Sequence, residues 1–542
     1  MPRFLPRQTT MVLLALLTLG VGIFYRSSYQ VPLSAAGLAL FALGAFVRPD
    51  LSLLFVPLTV PLFFMPKGIW DARFGIRPEG LRFPLHEVVL VVVLGAALFH
   101  GLRLVLQRKG HFSRIDGSVQ GHAVGETKPA NFSLFGRQCR PKREKKGFSG
   151  AFGPRQPPSP ERSRIDLGSL AREWAPIMLF LLAGTVGVFA ATSKGDALRE
   201  WRWLIVEPVI FYALVRVYVV YDAQLCTKLL AAFLISGACV GLIGIGQFFD
   251  VNLAPFIGDK VGFSADQIQV EGVERVTSVY GHPNNLGLLM GRIWPIAATC
   301  ALGVWLNRRH TRNAQWQLAF FVSCTVCALG GLIVSFSKGA LLGAGAAVIV
   351  LVWLLARGEG STMRRLRWVA LGGGVAVGVL LVGATLLGVE RLNLFGESSA
   401  IRLKTWAAAL AMLRDHPLTG IGLDQFGRIY PTYMAPELAQ SNERFTSHPH
   451  NLLLDILLRM GPLGLAAFGW LSVRFFRQER QRTNRFLAAG LCAAMVAALV
   501  HGFVDNFYFV PDLAFTFWLL IALSKSPQAP IPTPQAMPQN VV

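Results

Sequence analysis

In the stretch TSHPHNLLLDILLRMGPLG, Thr446 to Gly464, two histidines stand just ahead of an apolar run. An imidazole with an ordinary pKa of about 6.5 accepts a proton at neutral pH. His450 is therefore the candidate base for an incoming hydroxyl, with His448 as its competitor. Arg402 is expected in the first turn of a helix, where free N–H groups and the helix dipole favour an anion. Its guanidinium adds bidentate contacts to phosphate. Arg275 in EGVERVTSVYGHPNN, Lys338, Arg444 and Arg428 are further cations in neighbouring segments. A base beside several cations suits attack of a hydroxyl on a carbon that carries a diphosphate leaving group. A metal site using both histidines lacks a visible third ligand. The chain also has no Asp-x-Asp of the kind that bridges a diphosphate through a metal, so no metal or other cofactor is expected. Asp455 and Arg459, four residues apart, read as an intrahelical pair. His501 and Asp505, also four apart, read either as support for the site or as a structural hydrogen bond.

The elements that hold these residues are written for lipid. Of 542 residues, 53% are hydrophobic and only 15% charged, with mean hydropathy +0.48. Soluble domains are about a quarter charged. Apolar runs recur from end to end, each long enough to cross about 30 Å of hydrocarbon at about 1.5 Å per residue. The fold expected is an all-α transmembrane bundle of about 12–14 spans. They fall at 11–25, 31–47, 51–65, 85–107, 175–193, 203–220, 229–249, 284–306, 316–335, 339–356, 368–389, 451–474, 486–504 and 511–524. The first run lacks a small-residue cleavage site and reads as a retained span. Residues 1–107 and 174–334 form two groups of spans around a basic linker, 108–173, rich in Gly, Ser and Pro and expected to be disordered on the cytoplasmic side. The Pro-rich tail 525–542 is expected to be disordered too.

Lys and Arg bias sets the orientation. With the N-terminus inside, the basic loops 108–173, 307–315, 357–367 and 477–485 all fall inside, and so does the C-terminus. The net charge of +22 is then a topology signal, and nucleic acid is not an expected partner. Loops 250–283 and 390–450 fall outside. In the second, SSAIRLKTWAAALAMLRDHP predicts a surface helix capped by Ser398 or Ser399, ending at Pro417, with Ile401, Trp406, Leu410 and Leu413 on one face. None of the seven cysteines lies in a large outside loop, so no disulfide framework is implied. Cys324 and Cys327, a Cys-x-x-Cys inside an apolar span, read as small core residues. An enzyme on the outer face of a cytoplasmic membrane sees no ATP or nucleotide sugar. Its activated substrate arrives in the bilayer, typically as a lipid diphosphate, and the outside loops offer cations, a base and a greasy border for it.

HNLLLDILLRMGPLG reads H-N-x9-G-x-x-G, from His450 and Asn451 to Gly461 and Gly464. Upstream stand Ser337-Lys338-Gly339, then R-x3-W (Arg402, Trp406), then P-x2-G-x-G-x3-F (Pro417, Gly420, Gly422, Phe426). In this order, across about residues 335–465, they resemble the O-antigen ligase and polymerase family, and VHGFVDNFYFVPD (His501, Asp505) is similar to its C-terminal spans, which gives a family-like domain over 335–524 that includes the outside loop 390–450. Where members commonly carry Ser-Arg-Gly, this chain has Lys338, which keeps the charge and loses the fork. The resemblance implies a membrane-embedded glycosyltransferase of the inner membrane. It would move a glycan from undecaprenyl diphosphate to an acceptor hydroxyl of a lipid or glycan, without metal and with inversion at the anomeric carbon. His450 would be the catalytic base, with Arg402, Arg275, Lys338 and Arg444 on the diphosphate and Asn451, Trp406, His448, His501 and Asp505 in support. The pattern does not separate ligase from polymerase. The alternative is a transporter of a small anion or of a lipid-linked glycan, for which Glu207, Arg216 and Arg292 would serve near the bilayer midplane.

Overall fold

The computed structural model describes residues 7–27, 30–68, 82–119, 167–222, 224–251, 267–270, 272–311, 313–355, 368, 372 and 396–525. The chain divides into two compact units, residues 1–97 with 175–542, and residues 98–174. The candidate site lies wholly in the first.

Among the described residues, nine helices are long and apolar enough to cross a bilayer, and Val31–Val47, Pro49–Phe64 and Pro511–Ser524 are shorter apolar helices. The polytopic helical bundle expected from hydropathy is present, and this is a multi-pass membrane protein. Three boundaries differ from expectation. The helix from Leu85 continues to Val119 instead of ending at 107, and the next begins at Leu167. The span expected at 203–220 is a short helix Lys194–Glu200, a π-helical turn Trp201–Val206 and a helix Glu207–Tyr218. The span expected at 368–389 falls almost wholly outside the described residues, and linker residues 120–166 and tail residues 526–542 lie outside them altogether.

The helix Pro283–Leu306 forms the centre, packed against Ala314–Val334 and Arg485–Gly502, while Lys338–Leu355 packs on Arg485–Gly502. Small residues permit this closeness, as expected where lipid supplies no hydrophobic drive between helices. A side chain at Gly343, for example, would run into the backbone of Ala497.

Two local devices shape the end of the bundle that carries the candidate site. First, Gln267–Val270 and Val273–Val276 pair as an antiparallel hairpin with Arg275 opposite Ile268, in a loop that hydropathy could not resolve. Gln247 clamps the exit of this hairpin. Its side chain accepts from Ser278 N at 2.7 Å and donates to Ser278 O at 3.0 Å. Second, the helix Leu452–Glu479 is broken at Gly461, which takes φ +63° ahead of Pro462. Proline has no N–H, so the carbonyl four residues earlier has no intrahelical donor. That carbonyl, Leu458 O, instead accepts from Ile421 N at 2.7 Å and Gly422 N at 3.1 Å. The two glycine motifs quoted above are thus one joint.

The surface helix exists as Glu397–Asp415, but its details differ from expectation. Its N-cap is Gly396, with no side-chain cap bond, so Arg402 falls in the second turn and not the first. Its buried stripe is Thr405, Ala408, Ala409 and Met412, while Leu410 is half exposed. The stripe packs on Ile421, Phe426, Tyr430 and Leu458, so the helix is docked on the loop that follows it. The 420s loop, not only the bilayer, decided which face turned inward.

Candidate active site

Asp505 is the node of this end of the bundle. The helix Arg485–Gly502 stops before it, so Asp505 is not one helical turn from His501 as the spacing suggested. It lies in the following turn, where its Oδ1 accepts from Asn506 N at 2.8 Å. The same oxygen lies 3.2 Å from His450 Nδ1 and 3.3 Å from His448 Nε2. Its Oδ2 accepts from Asn284 Nδ2 at 2.5 Å. Asn284 Oδ1 accepts in turn from Arg275 Nη2 at 2.7 Å, and Arg275 Nε donates to Ser335 O at 2.9 Å. A continuous line of hydrogen bonds therefore runs from the guanidinium of Arg275 through Asn284 and Asp505 to the imidazole of His450.

Local sequence fixes the ends of this line. Asn451 caps the helix that follows it, accepting from Leu454 N at 3.1 Å, and ties it to the Asp505 turn by donating to Phe503 O at 3.1 Å. His450 is held between Pro449 and this cap with φ +51°, a left-handed backbone uncommon outside glycine. Strain of that kind persists where the surroundings over-determine it, often at functional sites. On the facing side, His282 caps the helix Pro283–Leu306, its Nδ1 accepting from Asn284 N at 3.1 Å. His501 meets Ser337 Oγ at 3.4 Å, and a side chain at Gly339 would collide with its ring. The glycine of Ser337-Lys338-Gly339 is there for that approach.

With Nδ1 of His450 turned to Asp505, its Nε2 is the nitrogen left to take a proton. Burial and the neighbouring His448 lower the His450 pKa below its ordinary value, against the hydrogen bond and charge of Asp505, which raise it. That direction favours the neutral imidazole, the form that can accept a proton. Burial alone would raise Asp505, but its hydrogen bonds with His448 and His450 outweigh this and hold the carboxyl well below the usual range.

His450 opens on a cleft of about 200 Å³. Arg275, Lys338 and Arg402 line the same cleft, together with His282, Asn284, Ser398, Ile401 and Glu443. Four residues separated by up to 175 positions in sequence are thus brought together, three of them cations. Arg444 is not among the lining residues; it is exposed, and its guanidinium lies 4.4 Å from the Phe445 ring centroid. Arg428 pairs instead with Asp196 at 3.2 Å. Trp406, on the same helix as Arg402, is partly buried and does not line the cleft. Asp455 and Arg459 form the expected pair at 2.7 Å, and Arg459 also pairs with Glu200. The transporter residues are dispersed: Glu207 meets Arg202, Arg216 donates to Lys525 O, and Arg292 donates to Phe507 O.

Residues 323–469 match the family model described as O-antigen ligase. That segment carries the chain's likeness to the O-antigen ligase family. An O-antigen ligase of Pseudomonas aeruginosa is 28% identical over 245 residues, which cover 44% of this chain and 53% of that protein. The match thus spans about half the length of the curated relative. The O-antigen ligase segment contains Lys338, Arg402, His448, His450 and Asn451, whereas Arg275, His282, Asn284 and Asp505 reach the cleft region from outside it.

Sequence reasoning passed over His282 and Asn284, although their stretch was singled out. The missed signal is the cap itself: a polar residue followed by Pro283 at the first helical position. It also found no third ligand beside the two histidines, and Asp505 is that third group. Ligand atoms of His448, His450 and Asp505 lie within 4.8 Å of one another and could hold a cation. Both rings present a nitrogen to Asp505 Oδ1, already bonded by Asn506 N, and an acceptor so placed favours N–H donors.

Proposed function

We propose that this O-antigen ligase-like protein transfers a glycan from an undecaprenyl-diphosphate carrier to an acceptor hydroxyl at the outer face of the cytoplasmic membrane, with both chain termini cytoplasmic. The observation that carries the reading is the single cleft shared by His450, Arg275, Arg402 and Lys338. His450 Nε2 takes the proton of the acceptor hydroxyl as its oxygen bonds to the anomeric carbon. The bond from that carbon to the diphosphate oxygen breaks, with inversion. The charge left on the lipid diphosphate is met by the two guanidiniums and by Lys338, which also opens a helix whose free N–H groups favour an anion. Asp505 holds His450 in the Nδ1–H tautomer and stabilises the imidazolium that forms. Lipid or glycan acceptors both fit this chemistry.

The decisive experiment is reconstitution of the full-length protein with a lipid-diphosphate oligosaccharide and a lipid acceptor. One shifted band on a gel is ligase activity, a ladder is polymerase activity, and no product with any acceptor overturns the reading.

Two substitutions examine its parts. Arg402→Lys keeps the charge and loses the fork, and activity is expected to fall about 10–100-fold, the worth of a charged hydrogen bond. Unchanged kinetics would remove the bidentate contact. Asp505→Asn removes a charge that raises the His450 pKa. The acid limb of the rate profile, already below its ordinary position, should move to still lower pH. The plateau should also drop roughly tenfold or more, because a weaker base is left. An acid limb that stays in place would separate Asp505 from the base.

A further inference from the structure

A second convergence of ligating side chains lies outside the cleft. His86 and Glu87 open the helix Leu85–Val119, and Glu207 opens the helix that follows the π-helical turn Trp201–Val206. One ligand atom from each lies within 4.8 Å of the others. All three are buried: His86 is 1% exposed, Glu87 9% and Glu207 8%. Among the described residues, neither ring nitrogen of His86 has a hydrogen-bond partner, nor do Glu87 Oε1 and Glu207 Oε2. A buried polar atom left so is destabilising, more when charged, and four in one place call for a ligand. Arg202 answers only in part. Its Nη1 lies 2.9 Å from Glu87 Oε2 and 3.4 Å from Glu207 Oε1, and its side chain is 50% exposed. One guanidinium thus serves two carboxylates and leaves the imidazole unmet.

We propose that His86, Glu87 and Glu207 form a divalent-cation site of zinc type, and that Arg202 is a movable stand-in which releases the carboxylates when the ion binds. One imidazole nitrogen and two carboxylate oxygens are borderline ligands of the kind zinc takes in four-coordinate sites, with the fourth position left to water. Calcium and magnesium ask for about six or more oxygens, which this nest does not offer. The His86 ring is fixed edge-on to Phe515, with centroids 5.3 Å apart. Arg202 has somewhere to go: its guanidinium carbon already lies 5.7 Å from the Trp203 ring centroid. The π-turn supplies the local rewinding that aims Glu207 inward, and single π-turns often mark functional positions. Bound there, the ion would tie the Leu85 helix to the segment whose Leu204 carbonyl accepts from Tyr508, three residues from Asp505. The proposal does not depend on the transfer chemistry.

The test is zinc binding by the full-length protein in detergent, stripped with a chelator, titrated with Zn²⁺ and analysed for bound metal. One equivalent is expected. His86→Phe and Glu207→Gln should each weaken binding about tenfold or more, and Arg202→Gln should tighten it. Absence of saturable binding overturns the proposal. So does zinc that survives His86→Phe and is lost with His448→Ala, which would put the ion in the cleft. If the variants fail to fold, X-ray absorption on zinc-loaded wild type decides. One imidazole with oxygens supports the site; two imidazoles or any sulfur overturns it.

Discussion

Replacing His450 with alanine is expected to lower glycan transfer roughly 10²–10⁴-fold, the usual contribution of a positioned general base, while membrane insertion and thermal unfolding stay as in the wild type. The fold should tolerate the change because the side chain is partly exposed to the cleft and caps nothing; the cap belongs to Asn451. The left-handed backbone at 450 is uncommon for either residue, somewhat less so for histidine, so the substitution adds little strain. His448→Ala is the internal control. His448 reaches the same carboxylate oxygen but does not line the cleft, and its ring centroid lies 4.3 Å from that of His450. Its loss should act through the environment of His450: removing a neighbour that lowers the His450 pKa moves the acid limb upward, with a smaller change in plateau. Transfer by His450→Ala at the wild-type rate would end the assignment of the base. The reverse ranking of the two variants would move it to His448.

What the sequence showed and what it hid divide along a physical line. Helices that cross lipid must satisfy their backbone internally, so hydropathy marks them individually; the nine long spans were legible for that reason. His450 stood out as a candidate because it opens the H-N-x9-G-x-x-G motif just ahead of an apolar run. Arg402 and Lys338 stood out as cations in separate segments, each next to an apolar run, with nothing local to say that they meet. Asp505 was visible only as a neighbour of His501 in sequence, because nothing local says that its helix ends at Gly502 and turns the carboxylate toward another segment. Asn284 was hidden for the same reason: its partners, Arg275 and Asp505, are 9 and 221 residues away. The surface helix was found but turned wrongly. Its apolar residues surround it on several sides, and only the loop carrying Ile421, Phe426 and Tyr430 selects Ala408, Ala409 and Met412 as the inner face.

That loop carries the second large effect. Gly420→Ala and Gly461→Ala are each expected to destabilise the protein by about 2 kcal/mol or more, seen as a lower unfolding midpoint of the purified protein in detergent. Both glycines hold a left-handed backbone, φ +66° and +63°, which costs an L-residue roughly 1–2 kcal/mol. Each also lies against the other's partner. A Cβ at 420 would strike the carbonyls of Leu457 and Leu458, and a Cβ at 461 would strike the carbonyl of Leu418. Moving either strand apart breaks the bonds from Ile421 and Gly422 to Leu458 O, which Pro462 leaves without a helical donor. A buried carbonyl left in that state adds about 1–3 kcal/mol. Because both substitutions open the same joint, the double variant should fall short of the sum by about 0.5–3 kcal/mol; strict additivity would show that the two glycines act separately. The joint also sets function. Leu458 and Ile421 carry the core on which the Arg402 helix rests, while His450 stands just before the helix containing Leu458. Opening it should move guanidinium away from imidazole and lower transfer even at temperatures where both variants stay folded. The glycines spaced through these motifs are therefore as much a condition of catalysis as the residues that touch substrate.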